Sequence, residues 1–295
     1  MKTHLLFPNK FKSIGWMLFT LGFILGAAFL YWDFRIPGFG FKFSGIGYTG
    51  KPVYEDFTNE LALTLVVLGL LLTAFAKEKV EDELISKIRA NSLYWAVLVG
   101  FAFRFIYLLG DTAHLYLSLP EIATVFIWRI ISFIGECQFF IPLLVFKLRF
   151  QYLIHRDGDV YALDNLYYLP TRPYRFIAII LSIILVGMAI YCIYTFLEHP
   201  NFLDTIANFV SLPLIAWVYT KEDNEDEFIT SLRLKAMQIS VCGYYCLLLI
   251  ANFLLYNIFF LFIISLSIEF TTIIFLVSFN WRMSRYKIMQ RGLAL

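Results

Sequence analysis

A thirteen-residue string occurs twice in this chain, and each copy lies between long apolar segments. Residues 77–89 read KEKVEDELISKIR and residues 221–233 read KEDNEDEFITSLR, identical at seven positions: Lys77/Lys221, Glu78/Glu222, Glu81/Glu225, Asp82/Asp226, Glu83/Glu227, Ile85/Ile229 and Arg89/Arg233. A charged string repeated between apolar runs is the pattern of a duplicated membrane unit. It directs attention to places where the halves agree and to places where they differ.

Composition sets the solvent. The chain is 60% hydrophobic and only 16% charged, with mean hydropathy +0.73, which is too little charge for a soluble domain of 295 residues. A net charge of +2 gives no footprint for nucleic acid. A transmembrane helix needs about 20 apolar residues, and eight such segments can be drawn: 13–32, 61–76, 92–110, 119–146, 176–197, 203–220, 236–256 and 258–281. Lys10 and Lys12 precede a full-length first span, with no signal-peptide cleavage pattern. The four cysteines (Cys137, Cys192, Cys242, Cys246) fall in apolar segments and are expected to act as small buried hydrophobes.

The basic residues orient the spans. With the N-terminus in the cytoplasm, 19 Lys and Arg lie on the cytoplasmic side and 3 (Arg35, Lys42, Lys51) on the other, with Arg104 and Arg129 inside spans. That asymmetry predicts both termini inside. The expected fold class is all-α: a polytopic membrane protein of eight transmembrane helices arranged as two parallel four-helix repeats. The first repeat is 1–149 and the second 174–295, joined by a cytoplasmic linker at 150–173. The halves align with Pro8 on Pro170, the acidic strings on each other, and Phe146–Arg149 on Phe279–Arg282. The outer loop 33–58, rich in Gly and Phe, is an insertion in the first half.

The segment LLFPNKFKSIGW at 5–16, followed by KEKVEDELISKIR, resembles polytopic inner-membrane proteins of Bacteroidota that carry a KExxEDExIxxxR cytoplasmic loop. The resemblance covers about the first third of the chain. It implies a bacterial inner membrane and carries no activity with it. The arrangement also resembles intramembrane prenyltransferases, which have two four-helix halves and acidic cytoplasmic loops after the second and sixth spans. Glu78, Glu81 and Asp82, with Asp223 and Asp226, occupy comparable places. The Asn-Asp-x-x-Asp motif of those enzymes is absent here.

Three groups of residues are candidates for function. The first is the repeated acidic loops: Glu78, Glu81, Asp82, Glu83, Glu222, Glu225, Asp226 and Glu227. They read as charge-balanced helix ends, since carboxylates complement a helix N-terminus. They are also candidates for docking a membrane or cytoplasmic protein partner. The second group is an intramembrane polar site of Arg104, Arg129, Glu136 and Glu269, because ionisable groups within spans are costly and normally face the bundle interior. Arg104 lies about 18 Å and Glu136 about 15 Å from the cytoplasmic ends of their spans, so an Arg104–Glu136 ion pair is expected. Arg129 is expected near Asp111. Glu269 matches Glu136 but has no arginine at repeat-equivalent positions, so it is expected either to be neutral or to reach an arginine of the first half. The third group is a pair of helix-break positions, Gly69 and Pro213, in the second span of each half. Interrupted segments at matching positions point to transporter binding sites.

The expected activity is therefore transport of a small solute or proton through a polar site between two repeats in the lipid bilayer. A non-catalytic sensor or accessory subunit is the first alternative and a prenyltransferase-like enzyme the second. No catalytic residue, metal ligand or cofactor is assigned.

Overall fold

The computed structural model describes residues 6–43, 53–79, 83–116, 129–130, 140–156, 166–194, 209–222, 226–255, 260, 263–264 and 266–293. Helix dominates: α1 (Lys10–Trp32), α2 (Thr58–Ala74), α3 (Glu83–Tyr116), α4 (Ile141–His155), α5 (Tyr174–Tyr194), α6 (Ser211–Val218), α7 (Glu227–Leu254) and α8 (Ser267–Leu293). Three of these are long and apolar enough to cross a membrane: α1, the Glu83–Gly110 part of α3 and the Phe228–Leu254 part of α7. Thr58–Ala74 and Tyr174–Met188 are shorter apolar helices. Large apolar side chains are exposed along α1 (Phe23, Ile24, Leu30) and α5 (Phe176, Ile183, Tyr191), as expected of helices solvated by lipid tails.

The chain divides into two compact units, Met1–Glu83 with Tyr245–Phe260, and Leu84–Tyr244 with Leu261–Leu295. In the first unit, α1 and α2 run antiparallel in very close contact. A Cβ built on Gly69 would lie 2.5 Å from the Phe19 nitrogen and 2.7 Å from the Gly15 oxygen, and one on Gly22 would lie 2.7 Å from the Val66 nitrogen. Gly69 therefore does not break α2, which is continuous through it; it is the point where two helix backbones meet. Small residues serve this purpose where apolar solvent gives helices no hydrophobic reason to associate. On α1 the close contacts come from Gly15 and Gly22, seven residues apart. Gly26, the other half of the Gly22-x-x-x-Gly26 pattern, is 3.8 Å from its nearest neighbour.

The Gly- and Phe-rich loop 33–58 contains a short antiparallel hairpin, β1 (Gly40–Phe43) paired with β2 (Val53–Asp56). It is anchored by the Phe57 N–H donating to the Phe39 carbonyl at 3.0 Å. The Asp56 carboxylate accepts from the Thr58 N–H at 2.8 Å and so satisfies one of the free donors that begin α2. Asn252 of α7 belongs to this unit. Its buried amide donates to the Glu60 carbonyl (2.8 Å) and to Thr64 Oγ1 (3.0 Å).

In the second unit, α3, α4, α6, α7 and α8 share a core that includes Leu93, Val97, Phe101, Phe146, Met237 and Phe275. Pro213 lies in the first turn of α6, where a missing N–H removes no helical hydrogen bond. Phe209, four residues before it, is itself helical, with the single turn residue Val210 between the two helical stretches. Cys246 is exposed, against the expectation of burial.

Candidate functional site

The repeated acidic strings are tied down by the same contacts in both copies. The Phe7 N–H donates to the Phe75 carbonyl (2.9 Å) and the Lys77 N–H to the Phe7 carbonyl (2.8 Å). Their counterparts are Leu169 to Tyr219 (2.7 Å) and Lys221 to Leu169 (2.9 Å). Asn9 Nδ2 donates to the Lys77 carbonyl at 2.7 Å, and Thr171 Oγ1 donates to the Lys221 carbonyl at 2.9 Å. Lys12 Nζ meets Glu78 Oε1 at 2.8 Å, and Arg175 Nη1 meets Glu222 Oε1 at 2.6 Å. Each clip therefore uses the strand-like residue beside Pro8 or Pro170, a side-chain donor to the loop, and a cation answering the string's second residue. The sequence showed the acids and the prolines; the cations that pair with them lie more than sixty residues away in one copy and more than forty in the other, beyond the reach of local pattern.

Asp226 accepts the Ile229 N–H at 2.7 Å, the capping geometry that satisfies an orphan donor at the start of α7. Glu83 opens α3 in its first turn. Glu81, Asp82 and Glu225 lie outside the described residues, as does the side chain of Glu227.

The last residue of each string is a buried arginine over an aromatic ring. The Arg89 guanidinium is 5.0 Å from the Phe150 ring centroid, and that of Arg233 is 5.0 Å from Phe279 and 4.7 Å from Tyr168. Arg233 also donates to the Val218 carbonyl (2.7 Å) and the Thr220 carbonyl (2.9 Å), satisfying acceptors at the end of α6. Phe150 and Phe279 are each half of a stacked pair one helical turn apart, Phe146–Phe150 at 6.0 Å and Phe275–Phe279 at 5.6 Å. These arginine contacts match Phe150 with Phe279. The F-x-x-R alignment instead matches Phe146 with Phe279, which is one turn different. In the geometric register, Glu269 stands opposite Phe140.

A buried charged pair joins α3 and α8. Arg104 Nη2 is 3.3 Å from Glu269 Oε1, with the two side chains only 1% and 6% exposed. Arg104 also lies over the Tyr107 ring, 5.6 Å from its centroid. Glu269 is in the first turn of α8, where the helix dipole favours a negative charge. Of the two outcomes expected for Glu269, the structure shows contact with an arginine of the first half. Glu136, the partner expected for Arg104, lies outside the described residues. Arg129 is exposed and is not part of the buried pair.

One helical turn away on both helices is a small void of about 10 Å³ lined by Val97, Phe101, Val218, Met237, Ser240, Thr271, Thr272 and Phe275. Phe101 precedes Arg104 by three residues and Thr272 follows Glu269 by three. Thr271 and Thr272 turn their hydroxyls back to the Ser267 and Ile268 carbonyls at 2.7 and 2.8 Å. Such a space holds about one water. Among the described residues no group of three or more His, Cys, Asp and Glu is placed to hold a metal ion.

No family model matches the chain, and no curated protein or solved structure matches it.

Proposed function

We propose that this chain is a transporter-like protein of the bacterial cytoplasmic membrane, working through the buried Arg104–Glu269 pair. In this reading eight spans form two four-helix repeats of the same orientation, with both termini in the cytoplasm. The recurrence of the clip contacts and of the arginine-on-phenylalanine contact supports the duplication. The observation that carries the functional reading is the ion pair itself. Two charges withdrawn from water inside apolar helices carry a desolvation cost that apolar residues would avoid, and intramembrane ionisable residues commonly mark ion or substrate paths. The 3.3 Å separation is longer than the ~2.7–2.9 Å of a tight charge-assisted hydrogen bond, so a proton or solute can compete for either partner.

The test is reconstitution in liposomes enclosing a pH-sensitive dye, with candidate solutes under an imposed gradient. Wild type should show solute-dependent proton movement, and Glu269→Gln, which keeps the side chain's shape, should not. Equal flux in both would remove Glu269 from the path.

A second reading, a non-catalytic sensor or accessory subunit, is favoured by the void beside the pair, which is too small for a solute. Absence of flux for every solute, with the variant and wild type alike in folding, would put that reading first. The enzyme reading draws no support from Glu78, Glu222 and Asp226, whose carboxylates are engaged by Lys12, Arg175 and the Ile229 N–H.

A further inference from the structure

Two of the contacts between α7 and α8 show that the helices are antiparallel. Ser278 Oγ donates to the Ala236 carbonyl at 3.5 Å, and the Phe228 and Tyr286 rings lie 4.7 Å apart. On α8, Ser278, Arg282 and Tyr286 recur every four residues and share a stripe; on α7, Phe228 and Lys235 are a heptad apart. Lys235 and Arg282 therefore lie between the two contacts, facing each other across the helix pair. Lys235 is half-buried there, close enough to the Arg282 guanidinium for the two like charges to interact. Arg282 Nε is buried with no hydrogen-bond partner. One turn along, the Arg285 guanidinium is held 4.1 Å from the centroid of the exposed Trp281 ring.

Residues 228–254 and 270–295 contain no Asp or Glu; the acids of these two helices, Glu227 and Glu269, lie eight residues before Lys235 and thirteen before Arg282. Like charges held together in a half-buried groove are unfavourable unless an anion bridges them. Depth identifies the anion's setting. Lys235 immediately precedes the apolar segment 236–256, and Arg282 immediately follows 258–281. Both stand at the level where apolar helix meets headgroup, with a tryptophan beside them as interface residues require.

We propose that Lys235 and Arg282, flanked by Arg285 on Trp281, form a binding site for the phosphate of an anionic lipid headgroup at the cytoplasmic surface. The guanidinium offers planar donors and the ammonium a point charge, the pairing that suits a phosphodiester. Cytoplasmic leaflets supply such lipids, and basic juxtamembrane residues attract them. The site is separate from Arg104–Glu269 and does not depend on transport. It rests on the ends of α7 and α8 facing the cytoplasm, which cysteine labelling tests independently.

The experiment uses the full chain, purified in an uncharged detergent and melted while titrated with phosphatidylglycerol, phosphatidylcholine or inorganic phosphate. Phosphatidylglycerol should raise the melting temperature saturably, and phosphatidylcholine should not. The double variant Lys235→Gln/Arg282→Gln should weaken the apparent affinity at least about tenfold, or about 1.4 kcal/mol. Lys287→Gln, on an exposed residue of the same helix, should leave it unchanged. Without lipid, Lys235→Gln should be no less stable than wild type, because it relieves a repulsion. Four results would overturn the proposal: equal phosphatidylglycerol responses in wild type and double variant, an equal response to phosphatidylcholine, a loss of affinity in Lys287→Gln matching the double variant, or a lipid-free loss of stability in Lys235→Gln. Stabilisation by inorganic phosphate equal to that by phosphatidylglycerol would assign the site to a free anion instead of a lipid.

Discussion

Replacing Arg104 by Leu leaves Glu269 buried opposite an apolar side chain. The two charged groups meet at 3.3 Å with almost no exposure, so water cannot take over as the partner. At an effective dielectric of about 20, two unit charges about 4 Å apart attract by about 4 kcal/mol. Breaking one side of a buried pair typically costs about 3–5 kcal/mol, while replacing both sides by apolar residues is often neutral or stabilising. Arg104→Leu and Glu269→Leu should each lower the midpoint of unfolding in detergent by an amount in that range. The double variant should recover to within about 1 kcal/mol of wild type, a coupling of several kcal/mol between contacting residues. Measuring all four proteins by thermal or denaturant unfolding closes the cycle. If the two single losses merely add in the double variant, the residues do not interact and the site described above does not exist.

The close approach of α1 and α2 predicts opposite signs at two glycines. Gly69→Ala places a methyl against backbone atoms at 2.5 and 2.7 Å and should destabilise by about 1–3 kcal/mol, whereas Gly26→Ala meets only Ala62 Cβ at 3.8 Å and should be neutral or stabilise by up to about 1 kcal/mol; thermal melting of each variant checks both. Asp226→Ala removes the acceptor for the Ile229 N–H and should cost about 1 kcal/mol, while Asp226→Asn, which keeps the acceptor, should cost little. In a background lacking the four native cysteines, Arg35→Cys should react with a membrane-impermeant thiol reagent in intact cells, and Lys79→Cys and Lys221→Cys should not; labelling of the last two would reverse the orientation.

Hydropathy marked the three long apolar helices but not their ends. The apolar runs start at 92 and 236, yet α3 and α7 begin at Glu83 and Glu227, nine residues earlier in both copies. Hydropathy marks the thickness of the apolar solvent, whereas backbone hydrogen bonding continues through the charged string. For the same reason α8 runs on to Leu293, past the last apolar residue of its segment. The string itself was legible as a repeat, but its cationic partners Lys12 and Arg175 are long-range. The register of the last helix in each half was read one turn away from the packing, because positions i and i+4 share a helix face and a motif match cannot tell them apart. Arg104 and Glu269 were both visible as charges inside apolar runs; their mutual contact was not, since nothing in a span's composition says which helix it faces. The pairing of Arg233 with Tyr168 and Phe279 left no signal beyond the repetition of the arginine.

The central claim is that Glu269 is a working carboxyl held against Arg104 inside the membrane. Infrared difference spectroscopy of the protein in liposomes, stepped between acidic and neutral pH with and without a transported solute, reads carboxyl protonation directly. A carboxylic-acid carbonyl band should appear on acidification, shift when solute is added, and vanish in Glu269→Gln. A spectrum with no Glu269-dependent band under either perturbation would contradict the account and leave the Arg104–Glu269 pair as a fixed strut.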